Sequence, residues 1–171
     1  MPIRIPIQFL NDALQPASRP HGGRPIALMN FYTLGTQLGE VVPITQAWAL
    51  FDTGADLNYA DESFVHGMNW PVETSTMIVG ATGSTPGSRH AAGISIGPLE
   101  NSAGVATQVC TLPDRHDGTK PYRVILGNLF MELGHLHMNY VEGEFWFDFY
   151  SSAERAARAS GAHLRSTDPH P

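Results

Sequence analysis

The chain has 171 residues, 42% hydrophobic and only 15% charged, with a formal net charge of −6, and that length suits one domain of ordinary size with a substantial core. The acidic balance without a dense Lys/Arg cluster argues against a nucleic-acid partner, and a single cysteine, Cys110, rules out an intrachain disulfide framework. No apolar stretch approaches a membrane span and no signal-peptide core opens the chain, so a soluble, cytoplasmic protein is the default expectation.

The 17 glycines and 13 prolines signal frequent turns and favour short strands over long helices. Residues 3–9 alternate apolar residues with proline and read as an extended edge segment; residues 11–24 read as a loop. Strands are expected over Pro25 to Tyr32 and Ile44 to Phe51, with a short helix or turn at Asp61-Glu62-Ser63-Phe64. Thr76 to Val79 runs into the Gly-containing tip Gly80-Ala81-Thr82-Gly83-Ser84 and returns through Arg89 and His90, a hairpin signal. Period-two alternation marks Ala92 to Ile96 and part of Val105 to Leu112, and residues 113–121 form a polar loop. Tyr122 to Leu126 is a buried strand, followed by a helical turn from Asn128 to Leu133 that Gly134 stops. Val141-Glu142-Gly143 turns between two last strands, His135 to Tyr140 and Glu144 to Phe149. Ser151 with Glu154 fits a capping box opening a helix over Ala153–Ala159, and a disordered tail is expected beyond Gly161. The fold class is all-β with one or two short helices.

Asp52-Thr53-Gly54-Ala55 carries the strongest chemical signal. A tripeptide Asp-Thr-Gly arises by chance in about 3% of chains this long, and all three residue types favour turns. Alone it reads as an ordinary turn. Its flanks change that: the apolar run Ala47-Trp48-Ala49-Leu50-Phe51 delivers the carboxylate at a strand end, and Val124-Ile125-Leu126-Gly127 has the form of a packing partner.

From Ile44 to Phe149 the chain resembles the retropepsin-like (retroviral-type) aspartic proteases. The matching segments are Trp48 to Asp56, the catalytic strand and turn; Met77 to Gly83, the flap; and Val124 to Phe130, the strand behind the catalytic turn with its helix. The resemblance implies a closed or partly open β-barrel with a flap hairpin, and an activity hydrolysing peptide bonds in extended polypeptides with apolar residues at the cleavage site. It makes Asp52, Thr53 and Gly54 the catalytic turn. It also makes Ala55, Asp56, Val79, Gly80, Ala81, Thr82, Gly83 and Ile125 the substrate contacts. The implied organisation is an N-terminal segment over 1–24, a protease domain over 25–150 and a helix with tail over 151–171. Two departures are visible. Asn128 stands where the family commonly has an Arg paired with the acid at the Asp56 position, and a helix follows the last strand where the retroviral enzymes end in an interleaved dimer sheet.

Hydrolysis without a covalent intermediate needs one carboxylate as base and a second group as acid. No second Asp-Thr/Ser-Gly exists: Asp117-Gly118-Thr119 has the wrong order and no apolar strand before it. The second carboxylate is therefore expected from another copy of Asp52 in a homodimer. No cofactor and no metal are expected. His135 and His137 share a strand face but lack further ligands at metal spacing, and read as solvent-facing. The chain has no Gly-x-Ser-x-Gly elbow, and its Gly80-Ala81-Thr82-Gly83 lacks the Lys of a phosphate loop. Phe145 to Phe149 reads as core and dimer packing. The competing reading is a weak or inactive relative that uses the same cleft to bind peptides or dimerise.

Overall fold

The computed structural model describes residues 1–11, 13, 15–17, 23–35, 43–80, 83–97, 103–114 and 120–165. Strands dominate, as expected. They are β1 (Ile3–Pro6), β2 (Gln8–Leu10), β3 (Pro16–Ala17), β4 (Pro25–Tyr32), β5 (Thr45–Phe51), β6 (Asn58–Asp61), β7 (Val72–Gly80), β8 (Gly83–Ile96), β9 (Ala103–Leu112), β10 (Tyr122–Leu126), β11 (Gly134–Asn139) and β12 (Glu144–Phe149). Among the described residues three helices join them: α1 (Glu62–Met68), α2 (Asn128–Met131) and α3 (Ser152–Arg165).

One sheet runs β3-β2-β4-β5-β10-β6-β9-β8-β7, and β4 also pairs with β8 through Asn30↔Ser95, Phe31↔Ile94 and Tyr32↔Gly93. That extra pairing closes β4-β5-β10-β6-β9-β8 into a barrel, which removes the inner edges. The register explains the burial. Along β4, Ala27, Met29 and Phe31 point inward and join Ala49, Phe51, Ile94, Val109, Val124 and Leu126 in one core. Alternating side chains of a strand face opposite ways, so a slip of one residue would expose this whole set. Beyond the barrel, β7 and β8 continue as a paired hairpin from Thr74↔Arg89 to Gly80↔Gly83.

A second sheet has the order β1-β12-β11. Phe145, Phe147 and Phe149 of β12 point into the core, and Phe147 lies 5.4 Å from the rings of both Phe51 and Phe130. The opposite face carries Trp146, stacked on His137 at 3.9 Å and covered by the Arg4 guanidinium at 4.0 Å. Arg4 also donates two hydrogen bonds to Asp148, at 2.9 and 3.2 Å, and holds its carboxyl below the ordinary range; the Trp146 indole N–H adds a third. The residues expected as an edge segment, 3–9, thus enter both sheets, with Ile5, Ile7 and Phe9 in the core.

Several local expectations meet the structure directly. The Ser151/Glu154 capping box forms, with the Ser151 N–H donating to Glu154 at 2.9 Å and the Glu154 N–H to Ser151 Oγ at 3.3 Å. Glu154 also lies 2.8 Å from the N-terminal amine, which together with Ser151 holds its carboxyl down to about 2. The helix runs to Arg165 instead of stopping near Ala159, because Gly161 weakens a helix without ending it; residues 166–171 lie outside the described residues. The hairpin turn at Val141–Gly143 closes on Gly143, whose φ of 71° glycine adopts freely. Among the described residues, no helix is long and apolar enough to cross a membrane.

Candidate active site

The strand order places Asp52. β5 and β6 are consecutive in sequence, yet β10 lies between them, parallel to β5 and antiparallel to β6. The connection Asp52–Leu57 therefore has to wrap around the end of β10, and its backbone polar groups are satisfied there. The Asp52 N–H donates to Leu126 O at 3.0 Å. The Asn128 N–H donates to Ala55 O at 2.7 Å and the Leu129 N–H to Asp56 O at 3.1 Å. Within the turn, Asp52 Oδ1 accepts the Gly54 N–H at 2.9 Å, and the Ala55 N–H returns to Asp52 O at 3.1 Å. The carboxylate is aimed by its own loop, and the loop is tied to a buried strand.

Two residues set this crossing. Gly127 passes so close under the turn that a Cβ there would sit 2.2 Å from Leu57 O and 2.5 Å from Ala55 O. Asn58, fully buried at the start of β6, accepts the Gly127 N–H on Oδ1 at 3.0 Å. Its Nδ2 donates to Thr107 Oγ1 at 3.0 Å and Gln108 O at 3.2 Å on β9. Sequence reading missed Asn58. An amide next to apolar residues at a strand start was the available signal, since a buried amide must find partners.

Asp52 is half-buried and Thr53, Gly54 and Asp56 are exposed. Asp52 and Thr53 open on a cleft of about 540 Å³ walled by Leu50, Tyr122, Leu136 and Met138, with Arg24 at its margin. Ile125 does not line that cleft; it packs beside Leu50 and Tyr122 in the small cluster with Leu10 and Ile26. The hairpin holds Val79, 77% exposed, near its tip, with Gly80 paired to Gly83; Ala81 and Thr82 lie outside the described residues. Among the described residues, Val79 and Gly83 do not line the Asp52 cleft. A larger groove of about 690 Å³ follows the hairpin stem between Met77, Pro86, Thr111 and Glu62, away from Asp52.

Asn128 stands where the family that the sequence resembles commonly has an Arg. Asn128 contributes its backbone N–H to the turn, and the ion pairs Arg4–Asp148 and Arg123–Asp61 lie elsewhere. His137, expected to face solvent, is half-buried against Trp146, because a flat ring covers the indole better than water does. His135 stays exposed. Cys110 is buried on β9 beside Tyr59, as a small apolar residue would be.

No protein-family profile and no curated protein matches the chain. A search of solved structures finds a retropepsin-like aspartic protease from Rickettsia conorii, with a TM-score of 0.51 over 87% of this chain and 91% of that one, at 11% sequence identity. At that identity the likeness speaks for the fold: the chain is an all-β protein folded like a retropepsin-like aspartic protease.

Proposed function

We propose that this protein is an aspartic endopeptidase whose catalytic unit is a homodimer, with Asp52 from each copy forming the dyad. The carrying observation is the Asp52 turn. Asp52 stands at a strand end, its backbone N–H donating to Leu126 O and its carboxylate accepting the Gly54 N–H, and it faces an open cleft. Two such carboxylates about 3 Å apart repel by about 5 kcal/mol at an effective dielectric near 20. They share one proton and titrate as a pair. The ionised member takes a proton from water as it attacks the peptide carbonyl, while the protonated member donates to the carbonyl oxygen.

In this reading Thr53 ties the two turns together, and Gly54, Ala55 and Asp56 offer polar groups to substrate backbone. Val79, Gly80 and Gly83, with Ala81 and Thr82, close over an extended polypeptide, and Ile125 backs a side-chain pocket. The apolar wall of Leu50 and Tyr122 favours apolar residues beside the cleaved bond. In this reading 25–150 is the protease body, completed by β1 and β2 of the segment 1–24, whose Ile5, Ile7 and Phe9 fill its core, and 151–171 follows it.

Digestion of a peptide library across acidic to neutral pH, with wild type beside Asp52→Asn, tests this. Wild type should cleave, and the variant should lose at least about a hundredfold in rate while keeping its fold. Equal cleavage by both overturns the reading. Cleavage by neither favours the non-catalytic peptide-binding module, to which the missing Arg partner of Asp56 also points.

A further inference from the structure

We infer that the two copies meet through the free edge of β11, with no exchange of N-terminal strands. This inference rests on the dimeric reading above and specifies the surface that builds it.

Hydrogen bonding alternates along an antiparallel pair, so each strand residue turns its N–H and C=O to one side only. The Tyr150 N–H donates to Leu133 O, and the register continues through His135↔Asp148, His137↔Trp146 and Asn139↔Glu144. His135, His137 and Asn139 therefore face β12. Gly134, Leu136 and Met138 turn their backbone groups the other way, and among the described residues no strand pairs that side.

The opposite edge of this small sheet is defended. The Ile7 N–H donates to Phe145 O, so Ile3, Ile5 and Ile7 face β12. The outward positions are Pro2, Arg4 and Pro6, and two of these three lack an N–H. Proline and a charge on an edge block strand addition. β11 carries neither at its outward positions.

The undefended edge borders the catalytic cleft. Leu136 and Met138 wall the same cleft as Asp52 and Thr53. The occupant is a second copy, because the site lacks one carboxylate and a two-fold axis across this edge supplies it from the same side. Antiparallel pairing centred on His137 lets Leu136 and Met138 of one copy exchange hydrogen bonds with the partner's Met138 and the partner's Leu136. The product is one sheet, β1-β12-β11-β11-β12-β1. Because β1 already pairs with β12 in its own chain, an interleaved arrangement would first have to break Ile3↔Phe149 through Pro6↔Trp146 and the Arg4–Asp148 pair.

The test reads amide exchange residue by residue by NMR on the wild-type protein, at concentrations where sedimentation shows monomer and where it shows dimer. The Leu136 and Met138 amides should slow by on the order of a hundredfold in the dimer, while His135 and His137 are protected in both states. A Leu136→Pro variant, which removes an outward N–H that the monomer does not use, should stay folded, sediment as monomer and lose peptidase activity. A peptidase-active dimer in which the Leu136 and Met138 amides exchange as in the monomer overturns the β11 assignment and leaves the Asp52 dyad standing. A protein that stays monomeric at every concentration and cleaves nothing overturns both.

Discussion

Asn58 and Gly127 are joined by a 3.0 Å hydrogen bond from the Gly127 N–H to the Asn58 Oδ1, beneath the turn that carries Asp52. The bond couples three strands. Asn58 opens β6, its Nδ2 reaches Thr107 and Gln108 on β9, and Gly127 leaves β10 one residue after Leu126, whose carbonyl accepts the Asp52 N–H. Anything that shifts Asn58 acts on the Asp52 turn through two backbone links.

Asn58→Ala leaves the buried Gly127 N–H, the Thr107 hydroxyl and the Gln108 carbonyl short of a partner. The expected cost is about 1–3 kcal/mol, read by urea unfolding. Peptidase activity should fall further than the stability loss explains when assayed where the variant is still fully folded. A variant that is as stable and as active as wild type would remove Asn58 from this role.

Gly127→Ala puts a methyl group where only 2.2 Å separates the built Cβ from a backbone oxygen. Backbone on both sides of the contact cannot swing away as a side chain can. Destabilisation should exceed the roughly 1–3 kcal/mol of ordinary overpacking. Thermal unfolding of the variant checks this, and a melting temperature within a few degrees of wild type would show that the turn yields.

Phe147→Ala should be among the costliest core truncations. The ring is fully buried and packs on Phe51 and Phe130, so it joins the strand that delivers Asp52 to α2 and to the small sheet. The expected loss is about 3–5 kcal/mol. Chemical denaturation measures it, and a loss below about 1 kcal/mol, smaller than the usual Phe truncation, would place the link between the sheets elsewhere.

Asp148 makes acid stability testable. Arg4 holds its folded-state carboxyl below the ordinary 3.8, so the stabilisation is present above that value and is lost as pH falls through the depressed one. Asp148→Asn should therefore differ from wild type most near neutral pH, with the gap between their unfolding midpoints closing as the solution is acidified below 3.8. A gap independent of pH would mean that the charge of Asp148 contributes nothing.

Much of this fold is legible residue by residue. β4 spans Pro25–Tyr32 and β10 spans Tyr122–Leu126, as their apolar patterns predict, and Ser151 and Glu154 form the expected capping box. These are short-range signals: alternation, turn residues and a cap within four positions. The turn at Asp52 was legible for the same reason, since an apolar strand running into Asp-Thr-Gly is a local pattern. Asn58 was not, because its partners Thr107 and Gly127 lie 49 and 69 residues away. His137 read as solvent-facing because strand alternation gives the face of a side chain and is silent about Trp146 opposite it.

By itself, then, the sequence determined an acidic all-β chain with one Asp-Thr-Gly turn at the end of an apolar strand and a Gly-containing hairpin. Only the tertiary structure decided that β10 slips between β5 and β6, which makes Gly127 obligatory and gives Asn58 its place. It also decided that β1 closes on β12 across 144 residues, at Arg4 and Asp148, and that among the described residues no strand pairs the outer edge of β11 beside the Asp52 cleft. The physical division is one of range. Periodicity and turn chemistry are properties of neighbours in the chain, whereas pairing order is chosen by the burial of the whole core.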